Sequence, residues 1–289
     1  MKHLCWIVLA AAVVIGCDGI GPFAPSEPAD PFADDPSLQD GTMPLREARM
    51  VARRSLDALD ATDDPPGPDV REAFESAVVH LLADRDASDR IVAADRLGEL
   101  RRPAGVEALR LALREPDARV RAEAARALGR IGEPTTAVPL ANALDDADRQ
   151  ARLAAAEALG RIGNNAVRPR LTEALNDSDP AVREAAARSL GLFRDPQAAP
   201  ALAAALDDEA PAVRSAAAAA LGLAGNRAAT EALIGALDDP SALVRYQAAN
   251  ALGALGDDRA IPDLQKLSRN DSDPSVRNAA VTALARLRK

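Results

Sequence analysis

The chain has 289 residues and a formal net charge of −9, and only 2% of its residues are aromatic although 48% are hydrophobic. A single large core normally takes much of its volume from aromatic side chains, so this composition favours thin layers of closely packed helices rich in alanine and leucine. The negative charge disfavours nucleic acid and anionic membrane surfaces as direct partners.

The first seventeen residues predict an export signal. An apolar run over residues 4–15 is shorter than the roughly 20 residues that span a bilayer, but it fits the core of a signal peptide. The run ends in Val14-Ile15-Gly16-Cys17, which resembles the lipobox of bacterial lipoproteins. This resemblance implies that the preceding residues are removed and that the sulfur of Cys17 carries a diacylglyceryl group. The alternatives are an ordinary secretory signal with a coincidental cysteine and an uncleaved anchor.

Two segments separate this signal from the rest of the chain. Residues 17–43 contain five prolines, six acidic residues and no lysine or arginine, which predicts an extended, disordered tether. Phe23 and Phe32 in this tether are candidates for a small docking motif, although isolated aromatic residues in such segments are more often passive. Residues 44–84 contain two amphipathic stretches split by a proline-rich turn, and we expect them to cap the first open face of a solenoid.

The remaining sequence, over residues 85–289, is periodic. Leu-Gly pairs recur every 31 residues, and an arginine stands seven residues before each leucine. In the fourth unit, Asp179 and Pro180 predict a helix start, and Val182 and Leu190 fall on one stripe of that helix. Gly191, after the leucine, predicts a place where a neighbouring backbone approaches closely.

Each unit also predicts a second helix, with core leucines four residues apart such as Leu202 and Leu206. In the last unit Leu264 keeps this register and Ser268 replaces the second leucine. Two helices per period cannot close a core alone, whereas stacked units bury a continuous one. The predicted fold class is therefore an all-α, right-handed α–α solenoid of about seven 31-residue repeats.

The fourth unit reads Val-Arg-Glu-Ala-Ala-Ala-Arg-Ser-Leu-Gly over residues 182–191. These residues resemble HEAT repeats of the bacterial, phycocyanobilin-lyase-like type, and the resemblance covers about residues 86–289. It implies an α-helical scaffold, a fold that serves many functions. Deoxyhypusine hydroxylase is similar in repeat type and holds iron through His-Glu pairs. This sequence has no His-Glu pair, and His80 would be its one histidine after signal cleavage.

These residues predict no enzymatic activity, no metal and no cofactor. No thiol besides the lipidated one would remain for nucleophilic catalysis, and no glycine-rich phosphate loop is present. The first predicted function is an exported, membrane-anchored lipoprotein of the bacterial cell envelope, acting as a non-enzymatic scaffold for protein–protein interaction. The alternative is an accessory or lyase-like subunit that handles a small ligand or its carrier protein.

The row of arginines is the most regular polar feature. One interpretation is a basic ladder that binds an anionic partner. The other is a structural ladder in which each arginine bonds acids or backbone carbonyls of the turn before its own repeat, and the net acidity favours it. The arginines of this ladder are Arg121, Arg152, Arg183, Arg214, Arg245 and Arg277.

Second helices line the concave face of HEAT-like solenoids. Residues one before and two after the first core leucine point away from the core and form a candidate partner groove. Its middle carries only alanine and glycine, which suits a docked helix or extended peptide, although alanine there can also merely stabilise an exposed helix. The expected partner is a protein or peptide, bound by a monomer that contacts the membrane only through its lipid. The candidate residues are Asn142, Arg170, Glu173, Ala204, Gly235, Asp263 and Lys266.

Overall fold

A computed structural model describes residues 86–101 and 105–288. The chain divides into two compact units, residues 1–97 and 98–289. The predicted signal peptide, tether and cap lie outside the described residues, as do Cys17, Phe23, Phe32 and His80.

Thirteen α-helices and several short 3-10 turns occupy the described residues, which contain no strand. The α-helices are α1 (Ala87–Leu100), α2 (Val106–Ala112), α3 (Ala118–Ile131), α4 (Ala137–Asn142), α5 (Arg149–Ile162), α6 (Arg168–Ala174), α7 (Pro180–Leu192), α8 (Ala199–Ala204), α9 (Pro211–Ala224), α10 (Thr230–Gly235), α11 (Ala242–Leu255), α12 (Ile261–Asn270) and α13 (Pro274–Leu287).

From α2 onward the helices alternate between two kinds. The long helices α3, α5, α7, α9, α11 and α13 have 13 or 14 residues. The short helices α2, α4, α6, α8, α10 and α12 have 6 to 10 residues. Consecutive long helices share the most extensive contacts, and each short helix packs on the long helix that follows it. This sequential packing confirms the predicted all-α solenoid.

The predicted helix boundaries follow from local chemistry. Asp179 caps α7, because its carboxylate accepts the backbone N–H of Ala181 at 2.8 Å. Pro180 stands at the first helical position, where its missing N–H costs nothing. At the other end of a long helix, Gly132 takes a left-handed φ of 77° and ends α3.

Glycine also sets the spacing between long helices. A Cβ on Gly191 of α7 would lie 2.8 Å from the Cα of Ala220 on α9. Gly253 of α11 stands in the same relation to Ala283 of α13, at 2.7 Å. The predicted close approach of backbones is therefore confirmed, and any side chain at these glycines would force the long helices apart.

Leucine fills the core that aromatic residues would otherwise fill. The largest fully buried side chains among the described residues are all leucines, including Leu190 and Leu202. The first five short helices end before their second core leucine, which the sequence predicts to lie in one continuous helix with the first. Leu206 is 8% exposed but lies in the 3-10 turn Ala205–Asp207, because α8 ends at Ala204 and its last turn tightens.

In α12 a different residue fills the second core position. Leu267, three residues after Leu264, is 8% exposed, whereas Ser268 is half-buried and donates to the backbone oxygen of Gln265. Positions three and four residues apart lie on the same face of a helix, so Leu267 can replace the missing leucine. Sequence spacing alone pointed to Ser268.

Candidate interaction surfaces

The arginines form a ladder along the turns between repeats. Nη1 of Arg183 donates to the backbone oxygen of Asp177 at 2.8 Å, in the turn before α7. Nε and Nη2 of Arg183 donate to the two carboxylate oxygens of Asp208 at 2.7 and 2.9 Å, in the turn after α8. Bidentate pairs of this kind combine charge with fixed geometry. Each guanidinium therefore joins two successive turns.

The same arrangement recurs along the chain. Each carboxylate lies 25 or 26 residues after its arginine, and no side chain in these pairs is more than 17% exposed. The pairs are Arg121–Asp146, Arg152–Asp177, Arg183–Asp208, Arg214–Asp239 and Arg245–Asp271. The guanidiniums are thus engaged within the chain, as the structural interpretation of the ladder predicts.

The prediction that acids or carbonyls of the preceding turn bond each arginine is confirmed for the carbonyls and wrong for the acids. The preceding turn supplies backbone oxygens, and the following turn supplies carboxylates. The reason is visible at Asp177, whose carboxylate already accepts from Arg152 and from the N–H of Asp179. The backbone oxygen of Asp177 is the atom that accepts from Arg183.

The ladder lowers the pKa of its carboxyl groups. The hydrogen bond from Arg121 outweighs burial and holds the pKa of Asp146 below its ordinary value. Burial raises the pKa of Asp208, but hydrogen bonds from Arg183 and from the N–H of Ala210 lower it more, so the net shift is downward. These aspartates therefore favour their charged form in the folded chain.

We expect the ladder to lose its stabilising effect in acid. A carboxyl with a depressed folded pKa adds stability above its unfolded pKa of 3.8, and this stability is lost as the pH falls through the folded value. The melting temperature should therefore drop between about pH 6 and about pH 2, measured by circular dichroism. The Asp208→Asn variant should lose less than the wild type over this range, and an equal loss would contradict the role of Asp208.

The candidate groove residues lie on the short helices, away from the core. Ala204 and Gly235 are exposed, and a Cβ on Gly235 would meet no atom within 4 Å. The other candidates divide between exposed and half-buried positions. Asn142, Glu173 and Lys266 are exposed, whereas Arg170 and Asp263 are half-buried.

Some of these charged residues already pair within the chain. Arg170 contacts the carboxylates of Glu173 and Asp145 and thereby links α6 to the turn after α4. Nζ of Lys266 lies 3.8 Å from the carboxylate of Asp238. Exposed pairs of this kind contribute roughly 0–1 kcal/mol, so a partner could displace them at little cost.

Open clefts lie between consecutive short helices. A cleft of about 240 Å³ between α2 and α4 is lined by residues that include Leu111 and Asn142. Another of about 390 Å³, between α10 and α12, is lined by residues that include Ile234, Asp263 and Lys266. Both ends of the candidate groove are therefore concave.

The sequence prediction missed the apolar part of this surface. Leu111 holds the position in α2 that Asn142 holds in α4, and it is 65% exposed. Applying the 31-residue spacing one unit earlier, from Asn142, would have identified Leu111 as a candidate. Val138 of α4 is 63% exposed as well. Other large apolar side chains are exposed on the long helices, at Leu192, Leu223, Leu243, Tyr246 and Val281.

Across residues 86–101 and 105–288, no group of three or more His, Cys, Asp or Glu side chains could hold a metal ion. None of the helices in those ranges has the length and apolar character needed to cross a membrane.

A family model for HEAT repeats matches residues 74–150, 137–211 and 199–285, which together span more than half of the chain. The chain belongs to the HEAT-repeat family. The match begins at residue 74, ahead of the first Leu-Gly pair. No curated protein matches this HEAT-repeat protein.

Several solved structures are similar to this HEAT-repeat protein. The complex of CpcE and CpcF of phycocyanin lyase from Nostoc sp. PCC7120 matches at 26% identity and a TM-score of 0.50, over 78% of this chain and 89% of that chain. YibA of E. coli matches at 19% identity and a TM-score of 0.57, over 86% and 99%. An engineered protein matches at 20% identity and a TM-score of 0.56, over 98% and 78%. The last two likenesses concern the fold alone.

Proposed function

We propose that this HEAT-repeat protein is a non-enzymatic scaffold for protein–protein interaction, exported and held at the membrane of the bacterial cell envelope by a lipid on Cys17. Its family supplies the scaffold, and the similar CpcE–CpcF structure is itself a complex of two proteins. The observation that carries the proposal is the groove on the short helices. Ala204 and Gly235 leave its middle bare, and clefts open toward both ends.

The groove suits one kind of ligand best. At the bare middle, a partner backbone could approach without meeting side chains at Ala204 and Gly235. Leu111 offers an apolar contact in one cleft, while Asp263 and Lys266 offer charges of both signs in the other. A helix or extended peptide with an apolar anchor near one end and a polar group near the other would match these features.

Filling the middle of the groove with larger side chains should prevent the partner from binding. We expect the double variant Ala204→Glu with Gly235→Arg to melt like the wild type, because both positions are exposed. After crosslinking in native membrane extracts, it should recover less than about a tenth of the partner, since an unpaired charge and steric overlap oppose docking.

The matched control places the same kinds of side chain on the long helices. Ala254→Glu with Ala212→Arg changes two residues that are also exposed, and it should capture the partner normally. If both double variants recover the same amount of partner, the groove is not the binding site.

The anchor is tested at the cysteine itself. We expect mass spectrometry of the membrane-extracted protein to find a lipid on Cys17 and no residues 1–16. Cys17→Ala should leave the protein without this lipid, because stable attachment needs acyl chains that bury about 0.8 kcal/mol per methylene. Cys5→Ala is the control, since residue 5 is removed with the signal. An unmodified N-terminus at another residue would contradict the lipidation.

A second candidate function is favoured by the likeness to phycocyanin lyase subunits. It is an accessory or lyase-like subunit that binds a small ligand or its carrier, and the cleft of about 390 Å³ is large enough for a small molecule. A saturable spectral change on adding a free bilin, lost in Lys266→Glu, would favour this candidate over the scaffold.

A further inference from the structure

Helix α13 exposes a face that earlier long helices bury. Val281 holds the position in α13 that Ala249 holds in α11. Ala249 is 0% exposed, whereas Val281 is 56% exposed. Gly253, four residues after Ala249 on the same stripe, lies in backbone contact with Ala283 of the next long helix. In each inner repeat this stripe therefore faces the following repeat.

Arg277 of α13 donates to backbone oxygens as the earlier ladder arginines do, but within the described residues it has no carboxylate partner. Nη1 of Arg277 donates to the backbone oxygens of Asp271 and Ser272 at 2.7 and 3.2 Å. At Arg245, the equivalent Nε and Nη2 bind the carboxylate of Asp271. Among the described residues, no carboxylate accepts from Nε or Nη2 of Arg277. Within residues 86–101 and 105–288, the bidentate edge of this guanidinium therefore has no acid.

The segment that carries this face is basic. Residues 274–289 include Arg277, Arg286, Arg288 and Lys289 and no acidic residue, in a chain whose net charge is −9. A basic segment on an acidic protein attracts an acidic partner and repels a basic one.

We propose that the outer face of α13, formed by Arg277, Val281 and Ala285, binds a helix of another protein that begins with an acidic turn. The internal repeats show the chemistry of such a ligand. At each inner arginine, an aspartate of the next turn takes the bidentate edge, and an alanine-rich helix covers the stripe below. The incoming helix would occupy the place of a further repeat. This surface is separate from the groove on the short helices.

A peptide of this chemistry can be taken from the chain itself. Residues 206–225 contain Asp208, the acidic turn and helix α9. We expect this peptide, carrying a fluorophore, to bind the full chain saturably in an anisotropy titration. Val281→Glu should weaken binding at least about tenfold. Leu243→Glu is the control, because Leu243 is 55% exposed on α11 and lies outside the proposed face; it should leave binding unchanged.

The carboxylate is tested by a double-mutant cycle. The Asp208→Asn peptide should bind the wild-type chain about tenfold more weakly, since it loses a charge-assisted pair. It should lose little further affinity toward the Arg277→Gln chain, because the two changes remove the same interaction. Additive losses, no saturable binding, or equal binding to the Val281→Glu chain would each overturn the proposal.

Self-association is the competing occupant. Under this proposal the chain alone should not dimerise through α13. If it forms dimers in sedimentation equilibrium and Val281→Glu dissociates them, a second copy covers α13, and the proposal that a helix of another protein binds there is contradicted. The variant Ala204→Glu with Gly235→Arg should still bind the peptide. Its loss of partner from membrane extracts therefore reports on the groove alone, and the failure of either proposal is distinguishable from the failure of the other.

Discussion

Replacing Leu190 by alanine is expected to lower the free energy of unfolding by ~2–5 kcal/mol. Leu190 is fully buried in α7, which packs between α5 and α9. The substitution removes buried apolar surface and leaves a cavity that the neighbouring helices fill only in part. Urea melts followed by circular dichroism measure the loss.

Leu284 is the matched control, because it holds the same place in the repeat. It lies in α13, is only half-buried, and has a long helix on one side within the described residues. Leu284→Ala should therefore cost less than Leu190→Ala. Equal losses at the two positions would count against stacking in which each repeat is stabilised by its neighbours.

Removing one ladder arginine is expected to have an effect of comparable size. Arg183→Ala should cost about 3–5 kcal/mol, because it leaves the carboxylate of Asp208 without its partner in a poorly solvated place. The side chains of Arg183 and Asp208 are 9% and 11% exposed. Partner capture should persist once the variant is folded, since Arg183 bonds within the chain.

Two comparisons separate this buried pair from ordinary surface charge. Arg188 is 70% exposed and pairs with Glu184, so Arg188→Ala should cost less than about 1 kcal/mol. The double variant Arg183→Ala with Asp208→Ala should cost less than the sum of its single changes, because no unpaired charge remains. A strictly additive result would mean that the pair contributes nothing as a pair.

Periodicity predicted most of the fold. Asp179 and Pro180 mark a helix start by chemistry that acts within a few residues, and Val182 and Leu190 mark a core stripe by spacing. The close approach at Gly191 was also accessible, since only a residue without a side chain permits it. All these features depend on neighbours in sequence or on a repeated unit packing against its copy.

The partner of each arginine was not accessible in this way. Around Arg183, Asp177 lies six residues before and Asp208 lies 25 residues after, and both recur with the same period. Periodicity therefore cannot tell which aspartate offers its carboxylate and which its backbone oxygen. That choice depends on how consecutive turns stack, which no single repeat encodes.

The sequence predicted where the candidate groove residues lie, but not which contacts they make or which clefts lie beside them. Helical spacing placed Ala204 and Gly235 away from the core, and both are exposed. It did not reveal that Arg170 would pair with Asp145 across two short helices, or that clefts would open beside Leu111 and Lys266. These features depend on the distance between consecutive short helices, which the long helices set.

The short helices are where this chain tolerates changes of length. The spacing from Arg245 to Asp271 is 26 residues instead of 25, yet the bidentate pair keeps the geometry of its predecessors. The extra residue is absorbed in α12, which runs as ten helical residues, and Leu267 takes over the second core position. A one-residue insertion at a short helix is therefore compatible with the arginine ladder, whereas the glycine contacts between long helices leave no room for even one added side-chain carbon.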